Sequence, residues 1–493
     1  MPHRFRHVKC DETPGACRNC TSTGRKCEGY DQYRLPMRWS STPRTSRNLA
    51  ISLPGMTSDE RRCFRFFGHH TVSMMVGYAE SEVWQQLVLQ MSQSEPAICH
   101  AVVALSAIHQ EYEGKGMTVK PDHRAHRFAL EQYGRAMSRL CSRIQSNDPQ
   151  VREITLMCCI IFVVLELLEG EYKNAFAHLR QGLGILDAHS GHTSATERSL
   201  AQAFLHLNVL RSHYGHSDVS ITIHPPQGSV AEVVYERVKI RSLSEAKERM
   251  LVLMNNIFHF QSRCYVLFRG DLATDIFSLS AQQGRLQCQL DDYRADLEAF
   301  VSIHSTRHAW TLREIRSVDL IQLHLETLVS LLGGSLDTTE MGFDRYLPEF
   351  KRMNEFCERI ISSFRREYKE TSRLPSMIMD MGFLPALFWS CVKCRDPETR
   401  RHAEQLLQVW PHREGIYDSH LVSLICEAII AIESEGQDEA GFIPQSARVQ
   451  TQIVEFAEDR SHIVMKYTLA GSGAWGTDER ERVIPFEGRE APA

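Results

Sequence analysis

Four cysteines, Cys10, Cys17, Cys20 and Cys27, stand in the pattern C-x6-C-x2-C-x6-C within 18 residues. Thiolates at this density suit zinc, which takes about four soft ligands in a tetrahedron and needs no large core around it. A short segment of this kind takes its fold from the metal. Two other readings compete. A pair of disulfides requires an oxidising compartment, and the start Met1-Pro2-His3-Arg4-Phe5-Arg6-His7 is basic where a secretion signal is apolar. Four core thiols require apolar surroundings, and this stretch is polar. Zinc is the expected cofactor.

The stretch is also basic. Residues 1–50 hold ten Lys and Arg against four Asp and Glu, a head of +6, and the rest of the chain carries −11 of the overall −5. A compact basic head on an acidic body suggests a module that binds a polyanion. Charge alone is weak evidence, because most basic stretches are solvated surface. From Asp31 to Pro54 the sequence carries Ser, Pro and Arg with little periodicity and reads as a flexible linker. It holds no heptad repeat that could zip two chains together.

The elements that must carry this head are helical. Thr57 and Glu60 have capping-box spacing. Ser94-Glu95-Pro96 opens a helix whose Ala97, Ile98, Ala101, Val102, Leu105 and Ile108 form one stripe. Asn147-Asp148-Pro149 precedes an oily helix over 151–168, Gly170 breaks it, and Ala175–Leu186 folds back on it. Periodicity fails between about 212 and 245, where Pro225-Pro226-Gln227-Gly228 marks a loop. Helices resume over Ile257–Phe268, Ile315–Leu332 and Phe350–Phe364, and Asp396-Pro397 and Asp418-Ser419 cap two more. Val449–Phe456 and His462–Leu469 read as a terminal β-hairpin. The remainder, rich in Gly and charge, is expected to be mobile.

With 43% hydrophobic and 24% charged residues, the 493-residue chain is expected to bury a large core without disulfides, leaving most of its 15 cysteines as reduced thiols. The longest oily run, Ile154–Val164, is shorter than the roughly 18 residues of a membrane span. Neither secretion nor membrane insertion is expected.

Arg4-Phe5-Arg6-His7-Val8-Lys9-Cys10-Asp11-Glu12, followed by Pro14, Cys17, Cys20, Gly24, Cys27 and Gly29-Tyr30, resembles the fungal zinc binuclear cluster DNA-binding domain. The resemblance implies six cysteines around two zincs, the first and fourth bridging both. Cys10, Cys17, Cys20 and Cys27 match the third to sixth ligands, His3 stands at the second, and the first falls ahead of Met1. One zinc would then keep His3, Cys10 and Cys17 and the other Cys17, Cys20 and Cys27, each needing water or a rearranged single-zinc cluster. Either the start codon or a first exon is misassigned, or the head is a remnant with weakened DNA binding. The undamaged spacing downstream favours the first. By position in the family, Arg6 and His7 match base-reading residues and Arg4 and Lys9 phosphate-facing ones. Arginine pairs with guanine O6 and N7, which suits a G/C-rich element. Arg18, Arg25 and Lys26 would add phosphate contacts whose strength falls with salt.

A second resemblance covers about residues 57–435. Glu60-Arg61-Arg62-Cys63-Phe64-Arg65-Phe66-Phe67, Trp84, the stretch from Glu95 to His109 and His178-Leu179-Arg180-Gln181-Gly182-Leu183 resemble the fungal-specific regulatory domain found behind such clusters. So do Lys393-Cys394-Arg395-Asp396-Pro397, Arg400-Arg401 and Arg413-Glu414-Gly415. It implies an all-helical domain with control functions and no chemistry of its own.

Other motifs fail. Cys391 and Cys394 lack a second pair, and Gly471–Gly476 lacks the following helix and strand of a dinucleotide site. No acidic residue or Cys stands at helical spacing to join His69 and His70 as ligands, and His100 and His109 read as polar residues at helix edges. The expected protein is mainly α, with a zinc cluster at 1–30, a linker at 31–54, a helical regulatory domain at 55–435 and an extension with the hairpin at 436–493. The expected function is a nuclear, sequence-specific transcription factor for metabolic genes, including specialised-metabolite clusters, and not an enzyme. Its expected partners are double-stranded DNA carrying a G/C-rich promoter element, coactivators and, with oligomeric state open, a second copy in a homodimer. The alternative is a helical interaction or ligand-sensing protein that has lost DNA binding.

Overall fold

A computed structural model describes residue 22 and residues 56–78, 81–115, 123–146, 148–188, 194–212, 239–268, 276–369, 374–456, 462–471 and 478–485. The body starts where its capping box stands. Glu60 N donates to Thr57 Oγ1 at 3.2 Å and Thr57 N to Glu60 Oε2 at 2.8 Å, opening α1 (Ser58–Phe66). Glu60 also accepts from Gln132 Nε2 at 2.9 Å and Arg135 Nη1 at 3.1 Å, so the cap ties α1 to a later helix. Burial opposes the charge on Glu60, yet the hydrogen bonds from Thr57 and Gln132 hold its carboxyl below the usual range.

After a π-helical turn at Phe67–Thr71 come α2 (Val72–Met75), a second π turn at Val83–Leu87, α3 (Val88–Ser94), α4 (Pro96–Lys115) and α5 (His123–Ile144). The oily run becomes α6 (Val151–Glu169), in which every residue from Leu156 to Leu168 is buried. A helix apolar on all sides has to be a core helix. Gly170 ends it with φ 77°, and Glu171 N reaches back to Glu166 O at 2.9 Å. This left-handed exit favours glycine. It turns the chain into α7 (Tyr172–Asp187), which packs back on α6 as the spacing predicts. α8 (Ala195–Ser212) lies so close to α7 that a Cβ on Gly182 would strike the Phe204 ring.

α9 (Leu243–Phe268) begins earlier than its periodicity indicates, and α10 (Ile276–Arg307) has no counterpart in the sequence reading. α10 buries Leu286, Leu290, Tyr293, Leu297 and Phe300 along one narrow seam and is polar elsewhere, which hides its stripe. α11 (Leu312–Gly334) opens with a second capping box, Thr311 and Glu314. A 3-10 turn at Met341–Tyr346 leads into α12 (Leu347–Glu367). β1 (Met377–Ile378) runs parallel to β2 (Arg413–Glu414), which pairs antiparallel with β3 (Tyr417–Asp418). Between them lie α13 (Leu384–Lys393) and α14 (Pro397–Val409), and α15 (Ser419–Glu435) follows. Asp396 and Asp418 cap α14 and α15 as their spacing predicts.

The hairpin forms as β4 (Val449–Phe456) and β5 (His462–Leu469). The expectation of a mobile remainder needs correction, because β6 (Arg480–Pro485) pairs antiparallel with β5. Ile463, Met465 and Ile484 pack with Val449, Val392 and the buried face of α15, so hydrophobic contact holds this third strand. A second correction concerns His109. It is fully buried, its Nδ1 lies 2.9 Å from Thr71 Oγ1, and burial pushes it down to about 3. Cys391 and Cys394 are packed helix-end thiols, and burial raises Cys394 to about 11. Among the described residues no helix is long and apolar enough to cross a membrane.

Candidate functional site

The sequence-predicted ligands His3, Cys10, Cys17, Cys20 and Cys27 lie outside the described residues, as do Arg4, Arg6, His7, Lys9, Arg18, Arg25 and Lys26. Of the head only Ser22 is described, exposed in a turn. The side-chain types are ones that zinc takes, four cysteines and one histidine. Among the described residues no group of three His, Cys, Asp or Glu side chains is placed to hold a metal.

The body has its own polar centre. After β1 the chain passes through Met379-Asp380-Met381, and Asp380 is turned inward at 5% exposure. Lys247 Nζ from α9 lies 2.8 Å from Asp380 Oδ2, and His206 Nε2 from α8 lies 2.9 Å from Oδ1. Burial disfavours the Asp380 charge, but Lys247 and His206 hold its carboxyl well below the usual range. His324 of α11 lies nearby, its Nε2 3.2 Å from the Gly382 carbonyl. Burial pushes His324 down to about 4, so the ring is neutral at pH 7. Because a carbonyl only accepts, Nε2 carries the proton and Nδ1 is left as an acceptor. These groups border a cavity of about 560 Å³ between α8, α9, α11 and the 377–383 segment. A smaller one of about 250 Å³ adjoins it and shares Glu82, His206, Lys247 and Asp380.

Spacing could not have found this centre, since Lys247 and Asp380 are 133 residues apart. One local signal exists: a lone acid inside the apolar run Met377-Ile378-Met379-Asp380-Met381. A buried carboxylate amid methionines requires a cation.

Two further polar clusters gather charged residues from the C-terminal part of the body. Glu414 accepts from Tyr78 Oη and from Leu384 N at 2.7 Å, with His412 Nε2 at 3.0 Å. Its neighbour Arg413 donates to the carbonyls of Leu167 and Leu168 at 3.3 and 3.1 Å, capping the end of α6. In the second cluster Glu433 receives Arg395 at 2.9 Å, Arg400 at 2.6 Å and Val449 N at 2.8 Å. Lys393 Nζ sits 2.7 Å from Glu340, and Arg448 makes two contacts of 2.7 Å with Asp344. These clusters bind segments together and present no nucleophile beside a base.

With this geometry in hand, two family models match. Residues 4–35 match the fungal Zn(2)-Cys(6) binuclear cluster domain, and residues 62–221 match the fungal specific transcription factor domain. The two matches stand in the order of a zinc-cluster domain ahead of a transcription factor domain, and the first implies zinc and DNA binding. The chain is mainly α, and both matched models describe domains of transcription regulators. One similar protein is the transcription regulator lscL of Purpureocillium lilacinum, 29% identical over 211 residues, 38% of this chain and 48% of that one. The chain thus spans about half of that relative's length. Another is the aspercryptin biosynthesis cluster-specific transcription regulator atnN of Emericella nidulans, 23% identical over 523 residues, 85% of this chain and 84% of the relative. No solved structure matches the chain.

Proposed function

We propose that the protein is a nuclear, sequence-specific transcription factor controlling a gene cluster for a specialised metabolite. The reading is carried by the order of the two domain matches, cluster at 4–35 and regulatory domain at 62–221, in a chain similar over 85% of its length to a cluster-specific regulator. Cys10, Cys17, Cys20 and Cys27, with His3, hold the zinc. Zinc supplies the fold of the head, and the chain's own side chains do the reading. Arg6 and His7 meet base edges of a G/C-rich element in the major groove. Arg4, Lys9, Arg18, Arg25 and Lys26 meet phosphates and set affinity rather than sequence. The domain layout is a cluster at 1–30, a linker at 31–54, a body at 55–435 and an extension at 436–493, and a second copy and coactivators are the further partners.

The test is zinc content and promoter binding of the full chain and of Cys17→Ala. The reading expects zinc retention and specific binding to be lost together in the variant. Undiminished promoter binding by Cys17→Ala would overturn it. Lys26→Ala should weaken all sequences alike and reduce the salt slope of binding by about 1, whereas Arg6→Ala should relax preference at one base pair.

A further inference from the structure

The cavity beside Asp380 has the size and lining of a small-molecule site. At about 560 Å³ it lies within the roughly 300–1,000 Å³ range of ligand pockets, which pair an apolar wall with a few placed polar groups. Met250, Leu251, Met254, Leu320, Ile321 and Met381 supply the wall. The charged groups on its lining are nearly all engaged. Asp380 holds Lys247 and His206, Glu314 closes the Thr311 capping box, and Glu82 accepts from Ser199. Arg313 lines the same cavity, and its guanidinium has no hydrogen-bond or ion-pair partner among the described residues. Lys247 gives one donor to Asp380 and carries three in all. The neutral His324 offers Nδ1 as an acceptor. Two cationic donors, an acceptor and an apolar wall on one lining together describe the complement of one chemical class.

We propose that this cavity binds an amphiphilic organic acid of drug-like size, its anionic group on Arg313 and Lys247 and a hydroxyl or N–H on His324 Nδ1. Such a ligand would bridge α9 to α11 and would give the regulator proposed above an effector site. The binding test is independent of DNA.

Full-length protein is titrated with anilinonaphthalene sulfonate, an aromatic anion that fluoresces in apolar surroundings, and the bound dye is displaced with decanoate, decanol or decylammonium. Saturable binding of one dye per chain is expected, with decanoate displacing it at a concentration about tenfold below that of decylammonium. Arg313→Gln should remove this preference for the anion while decanol displacement stays unchanged. Met254→Trp, which fills the cavity, should abolish saturable binding. Ser244→Trp at the exposed mouth serves the same purpose without touching the core. Dye binding that is non-saturable, or unaltered in a folded Ser244→Trp protein, overturns the site. Preference for decylammonium overturns the anionic class. Because zinc retention and promoter binding are measured separately, the effector site and the DNA-binding reading fail independently.

Discussion

Around α6 the chain buries an unbroken run from Leu156 to Leu168 against α4, α5, α7 and α8, whereas around Glu433 it buries Lys393, Arg395 and Arg400 with two glutamates next to β4. The first region is held by hydrophobic burial, which is non-directional and tolerates neighbours of similar shape. The second is held by charges whose desolvation nearly cancels their attraction, so it adds little net stability but permits one arrangement only. Glu340 itself sits at φ 61°, a left-handed conformation that a glutamate rarely adopts and that its buried partners maintain. The difference explains what each region is for. The α6 region makes the fold stable, and the Glu433 cluster decides that β4 docks on α15 in one register.

Removing one member of the ionic cluster should therefore do more harm than its net worth suggests. Glu433→Ala leaves the buried Arg400 without a carboxylate and Arg395 with Glu340 alone at 3.4 Å, and should cost about 3–5 kcal/mol in urea unfolding, with the C-terminal sheet losing protection first. A replacement of the whole cluster by apolar residues that cost as much would show that the charges are stabilising after all. In the apolar region, Ile160→Ala removes a fully buried side chain and should cost about 3 kcal/mol through the cavity it leaves. A loss under 1 kcal/mol would mean that α6 collapses around the gap.

Acid should weaken the first region before any carboxylate titrates. His109 is kept neutral by burial down to about 3, while the unfolded chain protonates it near the ordinary value of about 6.5. The unfolded state then binds more protons, so stability is full above that value and falls as pH drops towards 3. The slope should reach about 1.4 kcal/mol for each pH unit, and His109→Gln should flatten it while keeping a partner for Thr71. An unchanged slope would exclude His109 as its source. The smallest effect is at the cap: Thr57→Ala should cost about 1 kcal/mol, because the Glu60 N–H loses its Oγ1 acceptor while the Thr57 N–H still reaches Glu60 Oε2.

The caps were legible because they are local. Thr57 with Glu60, Asp396, Asp418 and Gly170 each act within a few residues, and each stands where its spacing predicts. α10 was not legible, because its buried seam is too narrow to stand out from its polar faces. His109 was misread for a related reason: helical spacing places it at the end of a stripe, but only the π turn carrying Thr71 closes over it.

What the sequence by itself determined is the cysteine spacing of the head, the helical class of the body and the points where its helices begin and stop. These are short-range consequences of ligand geometry, backbone capping and periodic apolarity. Only the tertiary structure decided that Asp380 would meet Lys247 and His206, that Arg413 would cap α6, and that Arg395 and Arg400 would share Glu433. A buried charge demands a partner without saying which one, and packing brings the partner from a distant part of the chain.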